Sequence, residues 1–138
     1  MPYELGSIPW LGVLVAAVAS FAMGGVWFAV LFVKPYARAL GRENSPPEKP
    51  APIFLIGPFV CGLVVASTGA IVIPLLHIDS AGGAAALGAL VGLGYLGSTA
   101  LNVAINPNMP HPLLYALVNV PYFFLSSIAI HVILVMLR

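Results

Sequence analysis

Charge is what this sequence has least of. Its 138 residues include five Lys and Arg and four Asp and Glu, 7% in all. Water-soluble domains carry roughly 25%, so a soluble globular fold is excluded. The scarcity is also organised. No Asp, Glu, Lys or Arg occurs between Leu5 and Val33, between Pro50 and Ile78, or between Ser80 and Leu137. A net charge of +1 offers no basic face, which argues against nucleic acid as a partner. Cys61 is the single cysteine, so neither an internal disulfide nor a CxxC redox pair can form. The first twelve residues, MPYELGSIPWLG, lack the basic segment of a secretory signal, and the apolar run behind them is expected to be retained.

What is present is apolar length. A membrane-spanning helix takes about 20 mostly apolar residues. The first two uncharged tracts hold one such helix each and the third holds two. Helices and closed barrels alone satisfy backbone polar groups in lipid, and tracts this long fit helices. The expected fold is therefore all-α, a single integral membrane four-helix bundle over residues 1–138, with spans near 11–33, 53–76, 82–105 and 113–137. Between them lie the proline-rich segment Glu43–Pro52, a short turn at His77–Ser80 and a turn at Asn106–Pro112, where prolines forbid a continued helix. Cys61 reads as a small buried apolar residue.

Lys34, Arg38, Arg42 and Lys49 all fall in the loop after the first span, and the loop after the second has no Lys or Arg. The positive-inside rule makes the loop 34–52 cytoplasmic, with both termini outside. Within Gly24–Arg42, Pro35 ends the first span and begins a short interfacial turn closed by Gly41. Tyr36 and Leu40 share one side of that turn. Lys34, Arg38 and Arg42 share the other, placed for anionic lipid headgroups.

Small residues recur at four-residue spacing: Ala16, Ser20 and Gly24 in the first span, Gly62, Ala66 and Ala70 in the second, and Ala84, Gly88 and Gly92 in the third. Such stripes let helix backbones approach. A second stripe on the third span, Gly94, Ser98 and Asn102, makes that helix narrow on two sides and the expected centre of the bundle. Larger polar groups gather toward the loop 34–52 end: Trp27, Asn102, Asn119 and Tyr122, with the Leu117 carbonyl freed of its donor by Pro121. They are expected to face the bundle interior. They act there as interhelical glue or as a binding site for a small solute.

No intramembrane carboxylate supports coupled antiport. No serine stands in a nucleophile elbow. His77, His111 and His131, read as lying near helix ends, lack the spacing of a metal pair. No catalytic residue, metal or cofactor is expected.

The run Gly24-Gly25-x-Trp27-Phe28-x-x-Leu31-Phe32-x-Lys34, followed by Arg38-x-Leu40-Gly41, resembles the first-helix signature of the bacterial membrane proteins catalogued as domain of unknown function 1761. Asn102, and Asn119-x-x-Tyr122 in the last span, are similar to later polar positions of that family. The resemblance covers nearly the whole chain. It implies the same four-span architecture, marks Trp27, Lys34, Asn102, Asn119 and Tyr122, and implies no reaction. The expected function is non-enzymatic action through helix packing, as a homo-oligomer or an accessory subunit among other membrane proteins. The alternative is a carrier or channel for a neutral or weakly anionic solute.

Overall fold

A computed structural model describes residues 8–46 and 49–138. It is an all-α, four-helix bundle. The helices long and apolar enough to cross a membrane are Trp10–Leu31, Ile53–Leu75, Ala81–Ala104 and Pro112–Met136, each within two residues of the sequence expectation at either end. Helix α1 (Trp10–Val26) runs into a π-helical turn, Trp27–Leu31. The short α2 (Val33–Ala39) and a loop lead to α3 (Ile53–Leu75). The third span is α4 (Ala81–Leu90), a π-helical segment Val91–Gly97, and α5 (Ser98–Ala104). The last is α6 (Pro112–Met136). Pro47, Glu48 and the N-terminal segment containing Glu4 lie outside the described residues.

The centre of the bundle is α6, not the third span. Helix α6 packs on α1, α3 and the whole length of α4–α5, whereas the third span packs substantially on α6 alone. Accordingly 39% of the best apolar window in α6 is buried, against 28% for the third span. The expectation failed because it took both small-residue stripes of the third span for contacts. Only one is. A Cβ on Gly88 would stand 2.6 Å from the Ile128 Cα, and one on Gly92 would stand 2.9 Å from the Phe124 Cα. Both glycines therefore touch α6 backbone directly. A Cβ on Gly94 would meet nothing within 4 Å.

The other two stripes also close within the chain. Ala16, Ser20 and Ala66 are buried, and a Cβ on Gly62 would lie 3.6 Å from the Ser20 hydroxyl. Ile8, Val13, Ala70, Ile73, Ile130 and Leu134 complete the apolar core toward the far end from α2. Cys61, expected to be buried, is exposed on the outer side of α3.

The helix ends follow from local chemistry. The first span breaks at Phe32 (φ −118°, ψ 25°), three residues ahead of Pro35, which sits in the first turn of α2, where an N–H needs no partner. Gly41 (φ +66°) closes α2 as expected, with the Arg42 N–H donating to the Ala37 carbonyl at 2.8 Å and the Gly41 N–H to Arg38 at 3.0 Å. Gly41 also lies against Pro110, which puts the loops after the first and third spans at one end of the bundle. Ser80 caps α4 by accepting from the Gly83 N–H at 3.1 Å.

The end of α3 repeats the Gly41 arrangement with a less suitable residue. The His77 N–H donates to Pro74 and the Ile78 N–H to Ile73, with His77 at φ 53°. A side chain pays roughly 1 kcal/mol in this left-handed region. His77→Gly should therefore raise stability by about 0.5–1 kcal/mol. Titration with SDS in mixed micelles reads this directly, and an unchanged or lower midpoint refutes it.

Candidate functional site

The polar residues singled out in the sequence fall around the junction of the first span with α6. The π-helical turn is marked by the Phe32 N–H donating to the Trp27 carbonyl, five residues back, at 2.8 Å. Wider than an α-turn, it carries Trp27 toward α6. The Trp27 indole Nε1 donates to the Val118 carbonyl at 3.0 Å, joining residues 91 apart in sequence. Its ring lies 4.6 Å from Phe32 and 6.3 Å from Tyr122. Phe28 continues the aromatic layer, 5.0 Å from Tyr122 and 4.8 Å from Tyr36.

Tyr122 donates its hydroxyl to the Ser20 carbonyl at 3.2 Å. It reaches that oxygen by passing over Gly24, where a Cβ would stand 2.9 Å from the phenol oxygen. Asn119 is buried, 4% exposed, and donates from Nδ2 to the Tyr115 carbonyl at 2.8 Å. That bond lies within its own helix, so Asn119 does not link helices. The acceptor used by Trp27 is Val118, one residue beyond the Leu117 carbonyl that Pro121 leaves without a donor. Leu117 itself points outward, 71% exposed.

Asn102 does not join them. It is exposed near the end of α5, which overturns the expectation that it faces the interior. The reason is helical phase. Asn102 is eighteen residues beyond Ala84, about five turns of a regular α-helix, which would put both on one face. The π-helical Val91–Gly97 winds fewer degrees per residue and rotates everything after it. The buried positions become Ala84, Gly88, Gly92, Gly97, Ala100 and Ala104, and Asn102 turns out with Gly94 and Ser98. The Ser98 hydroxyl closes on its own helix, donating to the Gly94 carbonyl at 2.6 Å.

The basic residues lie where the sequence places them. Lys34, Arg38 and Arg42 are exposed, while Tyr36, Leu40 and Ala39 turn toward the bundle. Arg38 and Glu43 approach to 3.9 Å with both side chains more than half exposed, a pairing of little energetic consequence. Burial, and then the neighbouring Tyr115, push the Tyr36 phenol above its ordinary pKa, so it stays neutral beside the cations.

Sequence reading missed His131. It is 2% exposed, five residues inside the end of α6, with Nδ1 2.7 Å from the Ser127 carbonyl. Four residues before it, the Ser127 hydroxyl is fully buried without a hydrogen-bond partner. The available signal was an imidazole one turn from a serine inside an uncharged span, since polar groups there turn inward. Among the described residues, no three His, Cys, Asp or Glu side chains converge to hold a metal.

No curated protein and no solved structure matches the chain. A family model does match, over residues 11–135, from ahead of the first small-residue stripe to the penultimate residue of α6. It takes in Trp27, Asn119, Tyr122 and the glycines that seat the third span on α6, so this chain belongs to the family described as protein of unknown function (DUF1761).

Proposed function

We propose that the protein is a non-enzymatic, multi-pass protein of a bacterial inner membrane that acts by helix packing, as a homo-oligomer or as an accessory subunit of a membrane complex. The observation that carries this is the outward face of the third span. That helix is held by α6 alone, and Gly94, Ser98 and Asn102 lie at four-residue spacing on its open side. Beside them Tyr95 is 74% exposed, over a groove of about 310 Å³ lined by Thr99, Val103, Tyr115 and Phe123. A small-residue strip flanked by a hole suits a second helix, because close backbone approach drives association in lipid. The competing carrier reading loses its main support at the α2 end. Trp27, Asn119 and Tyr122 are each bonded to a backbone carbonyl there.

In the same proposal the loop 34–52 is cytoplasmic, both termini are outside, and Lys34, Arg38 and Arg42 rest on anionic headgroups. Cysteine substitutions in a Cys61→Ser background test both parts. Ser98→Cys should cross-link in native membranes, to a second copy or another subunit, whereas Leu14→Cys on the outer side of α1 should not. Ser45→Cys should resist an impermeant maleimide in intact cells and react once they are opened. A Ser98→Cys chain that stays monomeric in membranes defeats the packing role, and labelling of Ser45→Cys in intact cells reverses the orientation.

A further inference from the structure

Helix α3 and the third span both flank α6 without packing substantially on each other, which leaves a cleft between them. It has a volume of about 180 Å³, is open on one side, and is walled by Val64, Val65, Val72, Val91 and Leu96, with His131 at its base. Gly69 keeps it open. A Cβ there would stand 3.3 Å from the His131 Nε2 and 3.0 Å from the Leu134 Cδ1. The base lies about 8 Å inside the α6 end that is remote from α2, counting five residues at 1.5 Å each.

The chemistry of that base is fixed by one bond. A carbonyl oxygen only accepts, so the Ser127 carbonyl, 2.7 Å away, makes the His131 Nδ1 the protonated nitrogen. An imidazole with no counter-ion in an apolar cleft is neutral, and a neutral ring with a proton on Nδ1 has a bare lone pair on Nε2. That nitrogen faces Gly69 and the cleft, and the described residues give it no partner. Thr68, on the cleft wall, cannot serve as its donor. Its hydroxyl proton is engaged with the Val64 carbonyl at 2.9 Å.

We propose that this cleft binds the ring of a lipid-soluble phenol or hydroquinone, with the ring hydroxyl donating to the His131 Nε2 and the tail leaving between α3 and the third span into lipid. Size and polarity both select this class. A closed apolar cavity of about 150 Å³ holds one benzene molecule, so the cleft takes a single six-membered ring. Its walls are aliphatic apart from Thr68, and the polar valences left open, the His131 Nε2 and the Thr68 oxygen, can only accept. A hydroxylated ring satisfies the Nε2, whereas the oxidised quinone, which has no donor, leaves it unmet.

The test uses the full-length protein in nanodiscs, with para-pentylphenol and pentylbenzene as a matched pair and pentylhydroquinone and pentylbenzoquinone as a second. The hydroxylated member of each pair should bind about tenfold more tightly, the size of one hydrogen bond in an apolar setting. His131→Leu should equalise the two members, and Gly69→Ala, which fills the cleft beside Nε2, should weaken both hydroxylated probes. Ring-nitrogen NMR on the unsubstituted protein needs no folded variant. It should show His131 with a proton on Nδ1 alone, and the Nε2 resonance should move with para-pentylphenol but not with pentylbenzene. Equal binding within the pairs, a preference that survives His131→Leu, or a proton on Nε2 in the unliganded protein each overturns the proposal.

Discussion

Gly88→Val is expected to destroy the packing of the third span. The substituted Cβ would lie 2.6 Å from the Ile128 Cα and 2.8 Å from the Ser127 carbonyl oxygen, both backbone atoms that no rotamer change can move. The two helices must separate. Separation strips contact along a helix that has no other substantial neighbour. Overpacking against movable side chains costs roughly 1–3 kcal/mol, and a backbone clash belongs at or above the upper end. A loss of about 3 kcal/mol in SDS titration is expected, with most of the protein failing to reach the membrane in folded form. Gly82→Ala is the control, because a Cβ there meets nothing within 4 Å. If Gly88→Val unfolds at the control's midpoint, α6 does not seat the third span in this way.

The second large effect is expected at Trp27. Replacing it with alanine removes the indole from against Phe32 and Tyr122 and leaves the Val118 carbonyl without its donor. Full removal of a core tryptophan costs roughly 3–5 kcal/mol. Trp27 is half-buried, so about 3 kcal/mol is expected. Trp27→Phe separates the contributions by keeping much of the ring surface and losing the donor, for about 1–2 kcal/mol. Tyr122→Phe similarly loses only the bond to the Ser20 carbonyl. Because the two rings touch, the double variant should depart from additivity by about 0.5 kcal/mol or more. Circular dichroism during SDS titration follows all four proteins. A Trp27→Phe variant as stable as the parent would show that the long-range hydrogen bond contributes nothing.

The span boundaries were legible because lipid imposes a crude and strong rule, and charge-free length states it. The α2 turn was legible for a similar reason. Gly41 and the three basic residues are local signals, and Gly41 adopts the left-handed conformation expected of it. The candidate site was legible only in part. Trp27 and Tyr122 meet as composition and depth suggested, but Asn119 closes on its own helix and Asn102 faces away. A straight-helix projection carries no information about where a π-turn enters, and the positions beyond Gly92 are projected one residue out of phase. The centrality of α6 was hidden for a related reason. A small-residue stripe shows that something can approach closely, whereas the α6 backbone that does the approaching, from Phe123 to Ile128, leaves no such mark. His131 lacks a paired histidine and stands five residues from the end of α6, and neither feature reveals that its ring is buried in the bundle.

The five-residue step from Gly92 to Gly97 amounts to one residue more than an unbroken α-helix would need there. The helix thus absorbs one extra residue without a loop. A relative with one residue fewer between these two glycines could run the third span as continuous α-helix and still seat the same small side chains on α6. Length differences within the family are therefore expected to fall inside a membrane span, a place where gaps are ordinarily disallowed when sequences are aligned. An alignment forced to place that gap in the Asn106–Pro112 turn would pair Ala100 and Ala104 of this chain with lipid-facing positions of the shorter one.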